Sequence, residues 1–358
     1  MPEPTSSNAP ASTSTPMSAE GLVGSEPQAP LATEAPTPVG RTKKSAYPIE
    51  HFVADPDETP VRATDSAVSD AAPRSLWGEA WRSLRRQPLF IISAVLILAV
   101  IFVALFPGLF TSEPPNENCL LENSDGGPAP GHPLGFTVQG CDILSRVVHG
   151  TQSSLTVGLF ATIGVVLIGG LIGALAGFFG GWIDAVLARI GDIFFALPLI
   201  LGAIVVVQLP VFQQNRNVWT LVVILVAFGW PQIARITRAA VIEVRNADFV
   251  TAARSLGVSP LGALVKHVIP NALAPVIVIA TISLGTFIVA ESTLSFLGIG
   301  LPPDVMSWGN DIFSAKPSLR SNPMAIFWPG LALSITVLSF IMLGDALRDA
   351  LDPKARKR

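Results

Sequence analysis

Of the 358 residues, 50% are hydrophobic and only 14% are charged, against roughly 25% charged residues in soluble domains. This excludes an ordinary aqueous globule, and uncharged apolar runs of membrane-spanning length make the chain a membrane protein. Lys and Arg number 23 and Asp and Glu 26, so the net charge of -3 says little until the charges are located.

Residues 1–75 hold 12 of the 31 prolines and ten acidic against five basic residues. Such a segment buries too little apolar surface to offset its ordering entropy. A disordered cytoplasmic tail is expected there, followed by a transmembrane domain over 76–358. The tail lacks a basic stretch leading directly into an apolar one, so no cleaved signal peptide is expected. From Ser75 to Arg86, Leu76, Trp77, Trp81 and Leu84 alternate with Arg82, Arg85 and Arg86 at helical spacing. This predicts an interfacial helix on the membrane surface.

Six apolar spans follow. The first, 89–106, has no charge and no proline, long enough for a hydrocarbon core roughly 30 Å thick. The others are predicted at about 155–179, 193–209, 217–234, 268–290 and 326–343. Pro198 and Pro231 fall inside the third and fourth spans and should kink them. Gly169, Gly173 and Gly177 recur every four residues in the second, a face that admits a neighbouring helix closely. The fold class expected is an all-α membrane protein of six transmembrane helices.

Lys and Arg near the span ends set the orientation. With the N-terminus inside, fifteen basic residues flank the cytoplasmic ends, from Arg74 to Arg358. Only Arg146, Arg216, Lys316 and Arg320 flank the outer ends. Both termini are therefore expected in the cytoplasm, the chain being multi-pass in the cytoplasmic membrane. The two cysteines, Cys119 and Cys141, then lie in the first outer loop, on the oxidising side. A disulfide there would contribute roughly 3 kcal/mol on the chain-entropy model; two free thiols are the competing reading.

No phosphate-cradling G-x-x-x-x-G-K-[ST] occurs, so the chain should not hydrolyse ATP itself. His51, His132, His149 and His267 are scattered, with no metal-ligand spacing, and no G-x-S-x-G nucleophile motif is present. The polar richness lies in the longest inner loop. Asp248 is expected to cap a short helix in which Phe249, Ala252, Ala253 and Leu256 share one narrow apolar face. Gly257 suits a left-handed stop, and Ser259 with Pro260 opens a second helix whose Leu261, Leu264, Val265 and Val268 share a face. Held between two spans, such a pair could hardly reach a DNA groove; it either lies on lipid or receives a partner. No nucleic-acid role is expected.

This loop resembles the signature of permease subunits of ATP-binding-cassette importers, E-A-A, three residues, Gly, nine residues, then I-x-L-P. Thr251-Ala252-Ala253, Gly257 and His267-Val268-Ile269-Pro270 keep the spacing, with Thr in place of Glu and His in place of Ile. His132-Pro133-Leu134-Gly135, Gly140 to Arg146, Ser295 to Gly300, Pro302-Pro303, Ser307-Trp308-Gly309 and Leu343 to Pro353 are similar to the C-type permease subunit of dipeptide, oligopeptide and nickel importers. The resemblance covers about residues 76–358 and implies the type I importer permease fold. It also implies a second permease subunit, two ATP-binding subunits and an extracytoplasmic substrate-binding protein around this chain. It needs no cofactor of its own, ATP and Mg being bound by the ATPases. Asp248, Phe249, Thr251, Ala252, Ala253, Leu256 and Gly257 would couple it to an ATPase. Glu291, near the outer end of the fifth span, is the candidate for substrate contact, against a structural role. A secondary transporter or channel is the rival reading, although no span carries the central acidic residue or inverted repeat frequent in that class.

Overall fold

The computed structural model describes residues 76–351; the expected tail and the last residues, from Asp352 on, lie outside the described residues. Among the described residues all regular structure is helical, apart from isolated bridges at Ala129/His132 and Phe136/Asp142. Five helices are long and apolar enough to cross a membrane, and a bent pair would make six.

Helix α1 (Leu76–Leu84) leads into α2 (Pro88–Leu105), whose Pro88 suits a first turn because its missing N–H would have no helical partner there. Ala80 and Leu84 of α1 pack against Ala346 and Ala350 near the end of the last helix. Trp81, Arg82, Arg85 and Arg86 stay exposed.

Helix α3 (Ile143–Phe179) starts well before the expected Leu155. The Asp142 carboxylate accepts the Ser145 N–H at 2.8 Å, an N-cap that satisfies one orphan donor, and Gly180 ends the helix at φ 65°. At about 1.5 Å per residue it is roughly 55 Å long, so its first turns extend beyond the hydrocarbon core. Arg146, His149, Gln152 and Ser154 lower the apolar signal there without interrupting the helix.

The expected third span is instead a broken pair, α4 (Gly181–Ala196) and α5 (Leu199–Val207), bent by 80°. Leu197 is extended, at φ -90° and ψ 120°, because the Pro198 ring disfavours the helical region for the residue before it. A short α6 (Pro210–Gln214) follows. Helix α7 (Val218–Arg245) runs past the expected Ala234, with Pro231 inside it. Its apolar window is 56% buried against 17% for α2, so α7 is central and α2 peripheral.

Helix α8 (Asp248–Ser255) and α9 (Pro260–Ala263) come next. A π-turn over Leu264–Val268 then leads into α10 (Ile269–Phe296). Pro270 has no N–H to offer the Lys266 carbonyl, and the helix widens at that point. Helix α11 (Trp308–Ser314) is a short helix with Trp308 to Asp311 buried, at the opposite end of the bundle from α8, and α12 (Met324–Leu351) closes the described chain.

Two packing features position the functional ends. A Cβ on Gly169, Gly173 or Gly177 would run into the carbonyl oxygens of Trp230, Ala234 and Arg238 respectively. The glycine stripe therefore lets α3 lie against the α7 backbone. The main apolar cluster joins Val157 and Val165 of α3, Val207 of α5, Leu221 and Leu225 of α7, and Phe287 and Leu294 of α10.

Candidate functional site

Helix α8 is anchored by one residue. Val250 is fully buried in a cluster with Val241 of α7, Ala174 of α3, Leu264 and Val268 of the π-turn and Ala272 of α10. Around it the helix is open: Phe249 is 48% exposed and Leu256 87%. Ala252 is exposed and Ala253 partly so. The N-cap is Ala247 rather than the expected Asp248, which occupies the first helical position. There the carboxylate still faces the positive end of the helix dipole.

The C-terminus forms a Schellman stop. Gly257 has φ 90°, its N–H reaches the Arg254 carbonyl at 3.0 Å, and the Val258 N–H reaches the Ala253 carbonyl at 3.2 Å. Two residues on, Ser259 Oγ accepts the Gly262 N–H at 3.2 Å and caps α9. The expected apolar face of this second helix is divided: Leu264 and Val268 are buried, while Leu261 and Val265 are exposed. Phe249, Leu256, Leu261 and Val265 thus stay uncovered on a pair of short helices. Thr251, at the position of the family's Glu, is exposed and hydrogen-bonds back to Ala247 O at 3.5 Å.

The same end is braced by ions. Arg238 of α7 holds Asp184 of α4 through two nitrogens, one at 2.6 Å, and Arg235 pairs with Asp192 at 2.7 Å. Arg245 donates to the carbonyls of Gly177 and Phe178. A cavity of about 390 Å³ lies beside these pairs, lined by Gly173, Gly191, Trp230 and Arg235 among others. In the sequence, Asp184 and Asp192 carried no sign of their partners, because the pairing depends on how α4 lies against α7.

At the opposite end, Cys119 and Cys141 are joined by a disulfide. The loop that it closes is tied to the α11 region: Ser318 and Ser321 donate to Asp125 Oδ2 at 2.9 and 3.1 Å, and Asn322 donates to Phe136 O at 3.0 Å. Arg146 of α3 pairs with Asp311 of α11 at 2.6 Å and also donates to Asn116. Lys316 donates to Phe296 O at 2.6 Å and lies over the Phe296 and Phe313 rings. Glu291 is fully buried, its oxygens met by serine hydroxyls. The sequence singles out none of Ser154, Arg216 or Asp311 for a role, although all three make contacts across elements here. Among the described residues no group of His, Cys, Asp and Glu could hold a metal ion.

Membrane-length helices with a braced, partly uncovered helix pair at one end describe a membrane-embedded protein with an open face at that end. Residues 169–357 match the family described as binding-protein-dependent transport system inner membrane component. Residues 75–125 match the N-terminal TM domain of oligopeptide transport permease C. The dipeptide transport system permease protein DppC of Alkalihalophilus pseudofirmus is 36% identical over 84% of this chain and 96% of its own length. The oligopeptide transport system permease protein OppC of Bacillus subtilis is 34% identical over 79% of this chain and 91% of its own. The glutathione transport system permease protein GsiD of Pectobacterium atrosepticum is 33% identical over 82% and 96%. The chain belongs to this family and is a permease subunit of an ATP-binding-cassette importer, the transport component rather than an enzyme. ATPase and substrate-binding partners follow from that membership.

Proposed function

We propose that the chain moves di- or oligopeptides inward across the cytoplasmic membrane as one of two unlike permease subunits, with ATP and Mg bound by two partner ATPases. The observation that carries this reading is the uncovered apolar face of α8, with Phe249 and Leu256 exposed on a helix whose anchor, Val250, is fully buried. An exposed apolar patch on a helix anchored from beneath suits a protein partner. An ATPase seated on it would transmit its closure to α7 and α10, which flank the pair in sequence and share the Val250 cluster. In physical terms the ATPase pair biases a two-state membrane element. The peptide assignment rests on the dipeptide and oligopeptide permeases among the relatives. The basic residues gathered near the α8 end support a cytoplasmic position for it and for both termini.

Purification in detergent should yield the chain with a second permease and two ATPases in fixed ratio. That complex, with its binding protein, should accumulate a labelled dipeptide in proteoliposomes only when ATP is supplied. A lone chain that transports without ATP would make it a secondary transporter; ATP-driven uptake of nickel but not of any di-, tri- or longer peptide would replace the substrate class.

A further inference from the structure

The segment between α10 and α11 is apolar on its inner side and fastened from two different helices. Leu301 is buried in the main cluster, and Ile299 and Val305 pack against it, near Val207 at the end of α5 and Leu221 at the start of α7. The segment thus covers one end of α5, α7 and α10, the outer end on the orientation proposed above.

The first fastening is Glu291 of α10. Its carboxylate accepts the hydroxyls of Ser154 at 3.2 Å, Ser292 at 3.1 Å and Ser295 at 2.9 Å, with Ser307 also donating. Three of these hydroxyl oxygens accept backbone N–H groups in turn. Ser295 takes that of Leu301 at 3.2 Å, Ser154 that of Trp308 at 3.4 Å, and Ser307 that of Asn310 at 3.2 Å. Each of these three serines donates its hydroxyl hydrogen bond to Glu291 and holds the segment, or the helix after it, by accepting a backbone N–H. Among the described residues no Lys or Arg is paired with Glu291. A buried carboxylate of this kind persists only while its hydrogen bonds are made.

The second fastening is Arg216, which precedes α7. It donates to Gly300 O at 2.7 and 3.1 Å, Leu301 O at 3.2 Å and Gly298 O at 3.4 Å. Space is tight beneath: a Cβ on Gly309 would lie 2.7 Å from both Ser292 Cα and Ser295 Cβ. Because one clamp belongs to α10 and the other to the start of α7, a relative movement of those helices cannot preserve both.

We propose that residues 299–305 are the outer stopper of the transport pathway, and that Glu291 and Arg216 are positioning residues that hold it closed until α7 and α10 separate. The inference rests on the permease reading above and gives Glu291 a role other than substrate contact. Thiol labelling tests it, since the described chain has no free cysteine. In the complete complex in proteoliposomes, a membrane-impermeant maleimide applied from outside should label Asp304→Cys at once, while Ile299→Cys and Val305→Cys stay protected at rest. With loaded binding protein, ATP and vanadate, labelling of both should rise about tenfold, equivalent to roughly 1.4 kcal/mol. Glu291→Gln and Arg216→Met should raise the resting rate similarly and let a labelled dipeptide leak without ATP. Labelling at positions 299 and 305 that ignores nucleotide state overturns the proposal, as does wild-type protection with no leak in both variants. If Glu291→Gln does not assemble, Arg216→Met and the two reporter cysteines still decide. Loss of ATP-driven dipeptide uptake in the wild-type complex would instead remove the permease reading for peptides; intact uptake with unresponsive cysteines would remove only the stopper.

Discussion

The coupling role proposed for α8 depends on a single backbone angle at Gly257. At φ 90° an L side chain costs roughly 1–2 kcal/mol, yet Gly257→Ala keeps the N–H that reaches Arg254 O. Gly257→Pro loses that donor and also forces φ to about -65°, so the Schellman stop cannot form and α9 leaves in another direction. Gly257→Ala is therefore expected to transport with reduced rate, whereas Gly257→Pro abolishes ATP-driven uptake while still inserting in the membrane. Ala253→Arg should do the same by placing a charge on the face proposed to meet the ATPase. Uptake measured alongside membrane-fraction immunoblots separates coupling from insertion, and full uptake by either Gly257→Pro or Ala253→Arg would remove α8 from the coupling path. Glu291 carries a different lesson at this scale. Its residue type and depth point to function in the sequence, but its serine partners come from α3, α10 and the α11 cap, which no local pattern links.

Among the elements, those defined by local chemistry are legible in the sequence, and those defined by pairing are not. The Gly257 stop, the Ser259 cap and the glycine stripe of α3 each follow from residues within a few positions of one another. The first turns of α3 and the length of α7 escape a hydropathy reading because Arg146 and Arg238 interrupt the apolar signal. Both cations are satisfied by partners far along the chain, Asp311 and Asp184. The bend at Pro198 turns what reads as one span into two helices set at 80°. The stripe supports a prediction of its own. Gly173 faces the Ala234 carbonyl and Thr237 Cβ, so Gly173→Leu must push α3 off α7, at the 1–3 kcal/mol typical of overpacking, or more, since backbone is what blocks it. Thermal unfolding in detergent should shift down for Gly173→Leu, while Gly170→Leu, which meets nothing within 4 Å, should match wild type. Equal midpoints for the two would mean that α3 and α7 do not pack through this face.

For the whole molecule, the position of charge matters more than its sum. Three of the four cations assigned to the outer side are engaged in the α10–α11 region: Arg146 with Asp311, Arg216 with three backbone carbonyls, and Lys316 with Phe296 O. They are spent on internal contacts, whereas Arg82, Arg85, Arg86 and Arg254 remain exposed near the other end. On the proposed orientation, exposed cations there meet the anionic cytoplasmic leaflet, with a benefit of about 1 kcal/mol each near the surface. The packing of α1 against the end of α12 keeps the start and finish of the described chain on the same side. Both arguments support the proposed cytoplasmic position of Leu76 and Leu351. A fluorescent protein that matures only in the cytoplasm should therefore be bright when fused after Arg358. Alkaline phosphatase, active only where its disulfides form, should be active when inserted after Gly127, within the disulfide-closed loop, and silent after Arg358. The inverse pattern would reverse the orientation, and with it would put α8 on the side from which no ATPase could reach it.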